Sequence, residues 1–96
     1  MSSNIDDLTV EYEEDGLVLV RELDKVVLSK GAWTTILFRY RELNRKTEEF
    51  GPEKYTIRRY RKIHDAYRQQ SKFNISSKKQ AAKIVEALSR WIEDTD

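Results

Sequence analysis

Only the last segment of this chain carries a helical period, and everything before it is punctuated at strand length, which limits the fold to a sheet followed by one helix. Ser77 opens that helix as an N-cap, Gln80 stands three residues later in a capping-box pattern, and good helix formers run to about Glu93. At about 100° per residue, Ala81, Ala82, Ile84, Val85, Ala87, Leu88, Trp91 and Ile92 cover an arc of about 220°. One sheet face needs little more than half of it. The surplus predicts a second apolar partner, another copy of the helix across a two-fold axis, with Ile84, Leu88, Trp91 and Ile92 at the interface. The alternative is that Trp91 and the alanines widen the contact with the sheet.

Upstream the period is two. Leu8, Val10 and Tyr12 alternate with Thr9, Glu11 and Glu13 as a short strand, and Asp15-Gly16 is a tight-turn signal. Leu17–Ser29, rich in valine and leucine, is a strand bounded by Ser29-Lys30-Gly31. Trp33–Leu43 is the next, with Ile36, Phe38 and Tyr40 on its core face and Trp33, Thr35, Leu37, Arg39 and Arg41 on the other. Asn44–Glu53 is polar, ends in Phe50-Gly51-Pro52 and reads as an extended hairpin tip. Lys54–Ile63 returns as a strand with Tyr55, Ile57, Arg59 and Arg61 on one side and Thr56, Arg58, Tyr60 and Lys62 on the other. A turn at His64-Asp65 leads to Tyr67–Ile75. The fold class expected is α+β: a four-stranded, curved antiparallel meander with one face under a C-terminal amphipathic helix, packed as a homodimer. Residues 1–16 form an acidic, partly disordered arm with a disordered lead over residues 1–7, residues 17–93 the domain, and residues 94–96 a tail.

The catalytic repertoire is thin. There is no cysteine and one histidine, His64, in a turn beside Asp65, so neither a zinc site nor a thiol or histidine base is expected. Gly16, Gly31 and Gly51 are scattered and make no phosphate-cradling loop. Glu11, Glu13, Glu14 and Asp15 lack the spacing of a calcium loop. The chain therefore reads as a non-enzyme without metal, cofactor or small-molecule substrate. No signal peptide or bilayer-spanning run is seen, and a soluble, cytoplasmic, nucleoid-associated protein is expected.

Net charge is +1, but the average hides a segregation. Residues 1–29 carry two basic and eight acidic side chains, residues 30–90 sixteen basic and six acidic, and residues 91–96 three acidic. Such asymmetry points to a polyanion-binding body with an acidic arm. Within that body Lys54–Ile63 interleaves aromatic and cationic residues, as suits stacked bases and neutralised phosphates; the same stretch also fits a solvated edge strand. Arg39, Arg41, Arg58, Tyr60 and Lys62 are expected on one exposed face, with Trp33, Phe50, Tyr55, Tyr60 and Tyr67 as stacking platforms. A flat platform suits unpaired strands better than duplex.

Gly51-Pro52-Glu53-Lys54-Tyr55-Thr56-Ile57-Arg58, Ser71-Lys72-Phe73-Asn74-Ile75-Ser76 and the helix Lys78–Ile92 together resemble the positive cofactor four family of transcriptional coactivators, nearest its small bacterial members. There a G-P-P-K-Y-x-I-R strand, an S-K-G-I-T-L strand and a C-terminal helix follow in this order. The resemblance covers about residues 17–92. It implies a dimer joined through the helices, with single-stranded nucleic acid across the sheets. Residue by residue, it carries the hairpin-tip stacking aromatic to Phe50 and the cations to Lys54, Arg58 and Lys72. The chain departs at Pro52-Glu53, where relatives have a second proline, at Phe73, where they have glycine, and at Arg61, where some have tryptophan.

These lines converge on a dimeric, sequence-tolerant single-stranded DNA-binding module acting in transcription regulation, replication or repair, with the transcription machinery as a further partner. Phosphates meet Lys54, Arg58, Lys72, Arg39 and Arg41, bases stack on Phe50, Tyr60 and Trp33, and Arg61 and Lys62 border the site, while Tyr55 and Ile57 lie beneath as core. RNA on the same face, or an acidic protein segment docked there, are the alternatives. The acidic residues 6–15 are expected to fold over the basic face and compete with the nucleic acid.

Overall fold

The computed structural model describes residues 4–94: a curled six-stranded antiparallel sheet followed by one helix. A 3-10 turn, Ile5–Asp7, precedes strands β1 (Tyr12–Glu14), β2 (Leu17–Ser29), β3 (Trp33–Asn44), β4 (Glu49–Phe50), β5 (Lys54–Ile63) and β6 (Ala66–Ile75), and helix α1 spans Lys78–Glu93. The strands lie in the order β1-β2-β3-β5-β6, with β4 paired to the end of β3. The long strands β2, β3, β5 and β6 fill the four expected segments; the short strand expected over residues 8–13 is confined to Tyr12–Glu14 as β1, because residues 8–11 turn onto the core, and β4 is added within the hairpin tip.

Two connections are minimal. Glu14 pairs with Leu17 across Asp15-Gly16, and Ile63 with Ala66 across His64-Asp65. All four turn residues have positive φ, from 51° to 80°, as the twist-matched two-residue hairpin turn requires. At α1, the Ser77 hydroxyl accepts from the Gln80 N–H at 3.1 Å, and the Gln80 side-chain oxygen reaches back to the Ser76 N–H at 3.0 Å. The orphan donors of the first turn are thus partly satisfied.

Side-chain alternation gives the sheet an inner and an outer face. Thr34, Ile36, Phe38 and Tyr40 point inward and are buried, as are Tyr60 and Tyr67 from β5 and β6. Leu8 and Val10, 7% and 8% exposed, close this core, with Ile5, Val20 and Val27 packed at its margin. Full burial of two such aliphatic side chains contributes about 1.5–3 kcal/mol each.

The cover of the inner face is thus the N-terminal arm and not the helix. No side chain of α1 is buried, and its packing against the sheet is chiefly with β6. Leu8 and Val10 of the arm occupy the middle of the inner face, the position expected for the helix. The expectation of a disordered lead fails for Ile5–Asp7, which form the 3-10 turn; residues 1–3 lie outside the described residues. The apolar residues interspersed among the acidic ones give the arm something to bury.

Candidate nucleic-acid interface

Cross-strand register decides which cations share a surface. Ile36 pairs with Arg58, Phe38 with Thr56, Thr34 with Tyr60 and Tyr40 with Lys54, so Lys54, Arg58 and Tyr60 belong to the inner face. Arg39 pairs with Tyr55, and Trp33 with Arg61, which puts Arg39, Arg41, Arg61 and Trp33 on the outer face. The single platform expected from Arg39, Arg41, Arg58, Tyr60 and Lys62 is therefore split between two sides of the sheet. Tyr55 and Ile57 are half-buried on the outer face, whereas Tyr60, 5% exposed, is core and has no free ring face for a base.

On the inner face, beyond the end of the arm, Lys54 and Arg58 of β5 and Lys72 of β6 line one recess of about 270 Å³ together with Tyr40, Asn74 and Ser76. Val10 and Val20 form its apolar wall and Glu42 its one acid. The Lys54 ammonium donates to Glu42 at 2.7 Å, a contact that holds its pKa above the ordinary value. Arg58 donates to the Gln69 amide oxygen at 2.8 Å and to the Thr56 hydroxyl at 3.3 Å, so its fork is oriented by neutral groups. Burial raises the pKa of Tyr40 and Tyr60, keeping both phenols protonated. With three cations against one carboxylate, the recess suits a phosphate-sized anion.

The outer face is built differently. Val26, Leu37, Ile57 and Phe73 are direct partners across β2, β3, β5 and β6 and form one apolar row. Val26 and Phe73 remain 52% and 55% exposed. Arginines flank the row: Arg59 lies over the Trp33 ring at 4.6 Å and Arg61 at 5.5 Å, and Arg21 lies over Phe50 at 5.4 Å. Arg39 is paired with Glu53 at 2.8 Å. Phe50, expected as a stacking residue, therefore already carries a guanidinium.

Comparison with protein-family models, with curated proteins and with solved structures finds no match.

Of the residues singled out in the sequence, the fold brings Lys54, Arg58 and Lys72 together and sets Lys62 further along the same face, 5.6 Å from the Tyr67 ring. Phe50, Trp33, Arg39, Arg41 and Arg61 are on the other side. Tyr40, Asn74 and Ser76 were not anticipated as lining. Their alternation with Ile75 and Arg41 put them in phase with Arg58 only once the register was fixed.

Proposed function

We propose that the chain is a sequence-tolerant single-stranded DNA-binding module that holds phosphates on the inner face and works as a homodimer in transcription, replication or repair. The observation that carries this reading is the convergence of Lys54, Arg58 and Lys72 on one recess with a single opposing carboxylate. Those same positions match the cations of the positive cofactor four family, which the sequence resembles. Neutral hydrogen-bonding groups, Asn74 and Ser76, complete a lining that recognises a backbone and not a base sequence.

The dimer reading rests on two apolar surfaces that match in size. The outer row spans three strand intervals, about 14 Å. The α1 stripe from Val85 to Ile92 spans about 10 Å, and Val85, Leu88, Trp91 and Ile92 are each about half or more exposed. A second copy that brings α1 to α1 and to this row buries both and leaves the inner-face recess open to the strand.

Titration with fluorescent oligothymidine over a salt series tests the function. Affinity should fall steeply with salt, with a log–log slope of about −0.7 per phosphate neutralised. A flat response, or duplex bound as tightly as single strand, rejects the reading, and a matched RNA strand titrated alongside decides between the two nucleic acids.

A further inference from the structure

The inner face carries four aromatic rings, Phe38, Tyr40, Tyr60 and Tyr67, and the arm lies across them with Leu8 and Val10 seated on the cluster. The groove is interrupted and not filled. At one end of the arm Val10 walls the cationic recess; at the other, about 470 Å³ opens between Ile5 and Tyr67, beside Lys30. Leu8 is the apolar anchor between those two openings.

Besides Leu8 and Val10, the arm is held by hydrogen bonds to two residues of β2, Lys25 and Glu22. The Lys25 ammonium donates to the carbonyl oxygens of Ile5, Asp6 and Leu8 at 3.1, 3.0 and 2.8 Å. The Thr9 hydroxyl donates to the Glu22 carboxylate, and the Glu22 N–H donates to the Glu11 carboxylate at 3.0 Å. Asp6, Asp7 and Glu11 set carboxylates along the arm, whereas Glu13, Glu14 and Asp15 lie in β1 and its turn at the edge of the sheet. The arm thus combines apolar contact on the aromatic cluster, through Leu8 and Val10, with exposed carboxylates at Asp6, Asp7 and Glu11.

We propose that the arm is a displaceable strap over a cryptic base-stacking site. A single strand entering by the Lys54–Arg58–Lys72 recess displaces residues 4–11, and its bases then stack on Tyr40, Tyr60 and Tyr67, while Lys25, released from the arm's carbonyls, meets a phosphate. This deepens the single-strand reading and rests on it. It accounts for aromatic residues that occur in a binding pattern yet are buried in the strapped form, and for an arm whose charge opposes that of the face it covers. The closed arm lowers the apparent affinity in proportion to the rarity of the open form.

The test is hydrogen exchange of the full chain with and without saturating oligothymidine, paired with titration of Leu8→Ala. The strap predicts that amides of residues 8–11 exchange faster in the complex while those of β5 and β6 are protected, and that Leu8→Ala binds at least about tenfold more tightly. Arm amides that stay protected in a saturated complex overturn the strap and leave phosphate binding at the recess intact. A natively folded Leu8→Ala chain with unchanged or weaker affinity also overturns it. If that variant does not fold, exchange on the unmodified chain decides. If oligothymidine binds neither form at low salt, the single-strand reading falls and the strap falls with it.

Discussion

Arg58 and Lys72 stand directly opposite each other across β5 and β6, two like charges in register on the inner face. Neither has a carboxylate within ion-pair distance among the described residues. Such a pair works against folding by about 0.2–1 kcal/mol and is relieved when an anion sits between them. Lys72→Met should therefore raise the free protein's stability by up to about 1 kcal/mol while weakening oligothymidine binding and reducing the salt slope by about 0.7. Urea unfolding and the salt-series titration measure the two effects. Loss of stability would contradict the repulsion, and an unchanged slope would place the phosphate elsewhere.

The β5–β6 turn stores backbone strain. His64 and Asp65 have φ of 51° and 64°, and neither is glycine. The left-handed region costs an ordinary residue about 1–2 kcal/mol, whereas Asn-Gly adopts this turn readily. His64→Asn with Asp65→Gly should stabilise the domain by about 1 kcal/mol, read as a higher urea midpoint at unchanged slope.

How much of this was legible beforehand depends on which physical quantity is asked for. Strand alternation is local, so β3 and β5 were each divided correctly into two faces. Joining the faces was not local: it needed Ile36 opposite Arg58, and a one-residue slip would have reversed it. Polarity could not supply that register, because both sides of the sheet mix apolar and cationic residues. The helix was readable from its cap and period, but its placement was not, since an apolar arc specifies that something covers it and not what. The arm misled in the same way: Leu8 and Val10 were readable as alternating apolar residues, but nothing local showed that they complete the core.

Glu53 ties the hairpin tip to both neighbours, accepting from Arg39 at 2.8 Å and Lys78 at 3.3 Å. The Lys78 hydrogen bond is the main cause of a pKa below the ordinary 4.5. A depressed carboxylate pKa adds stability that is present above about 4.5 and is lost as pH falls through the folded value. The first turn of α1 should loosen as pH drops from about 6 to about 3, and Glu53→Gln should be insensitive to that step. Amide exchange at Lys79 to Ala82, compared between the two proteins, reports it; identical pH profiles would show that the bridge does not secure the helix.

Trp91, 63% exposed on the α1 stripe, and Phe73 on the outer row test the assembly together. Either Trp91→Glu or Phe73→Lys should convert the proposed dimer to monomer in sedimentation without loss of sheet signal in circular dichroism. A dimer that survives Trp91→Glu but not Phe73→Lys would mean that the row pairs with itself. Survival in both cases removes this interface.

Trp33 separates the two faces as binding surfaces. Its ring carries Arg59 at 4.6 Å and Arg61 at 5.5 Å, so the two guanidiniums and the indole support each other within the free protein. Exposed contacts of this kind contribute about 0.5–1 kcal/mol each. If the ring is a structural brace, Trp33→Ala lowers stability by about 1–2 kcal/mol and leaves oligothymidine affinity within about twofold. If bases stack on the outer face, the same change removes about 1–3 kcal/mol of binding, a loss of roughly five- to more than a hundredfold. The inner-face recess requires the first outcome, because Trp33 and Lys72 lie on opposite sides of the sheet and a base stacked on one cannot share a short strand segment with a phosphate held by the other. Titration of Trp33→Ala beside Lys72→Met thus assigns the strand to one face: Lys72 sensitive and Trp33 silent supports the recess, and the reverse pattern moves the site to the arginine-flanked outer face.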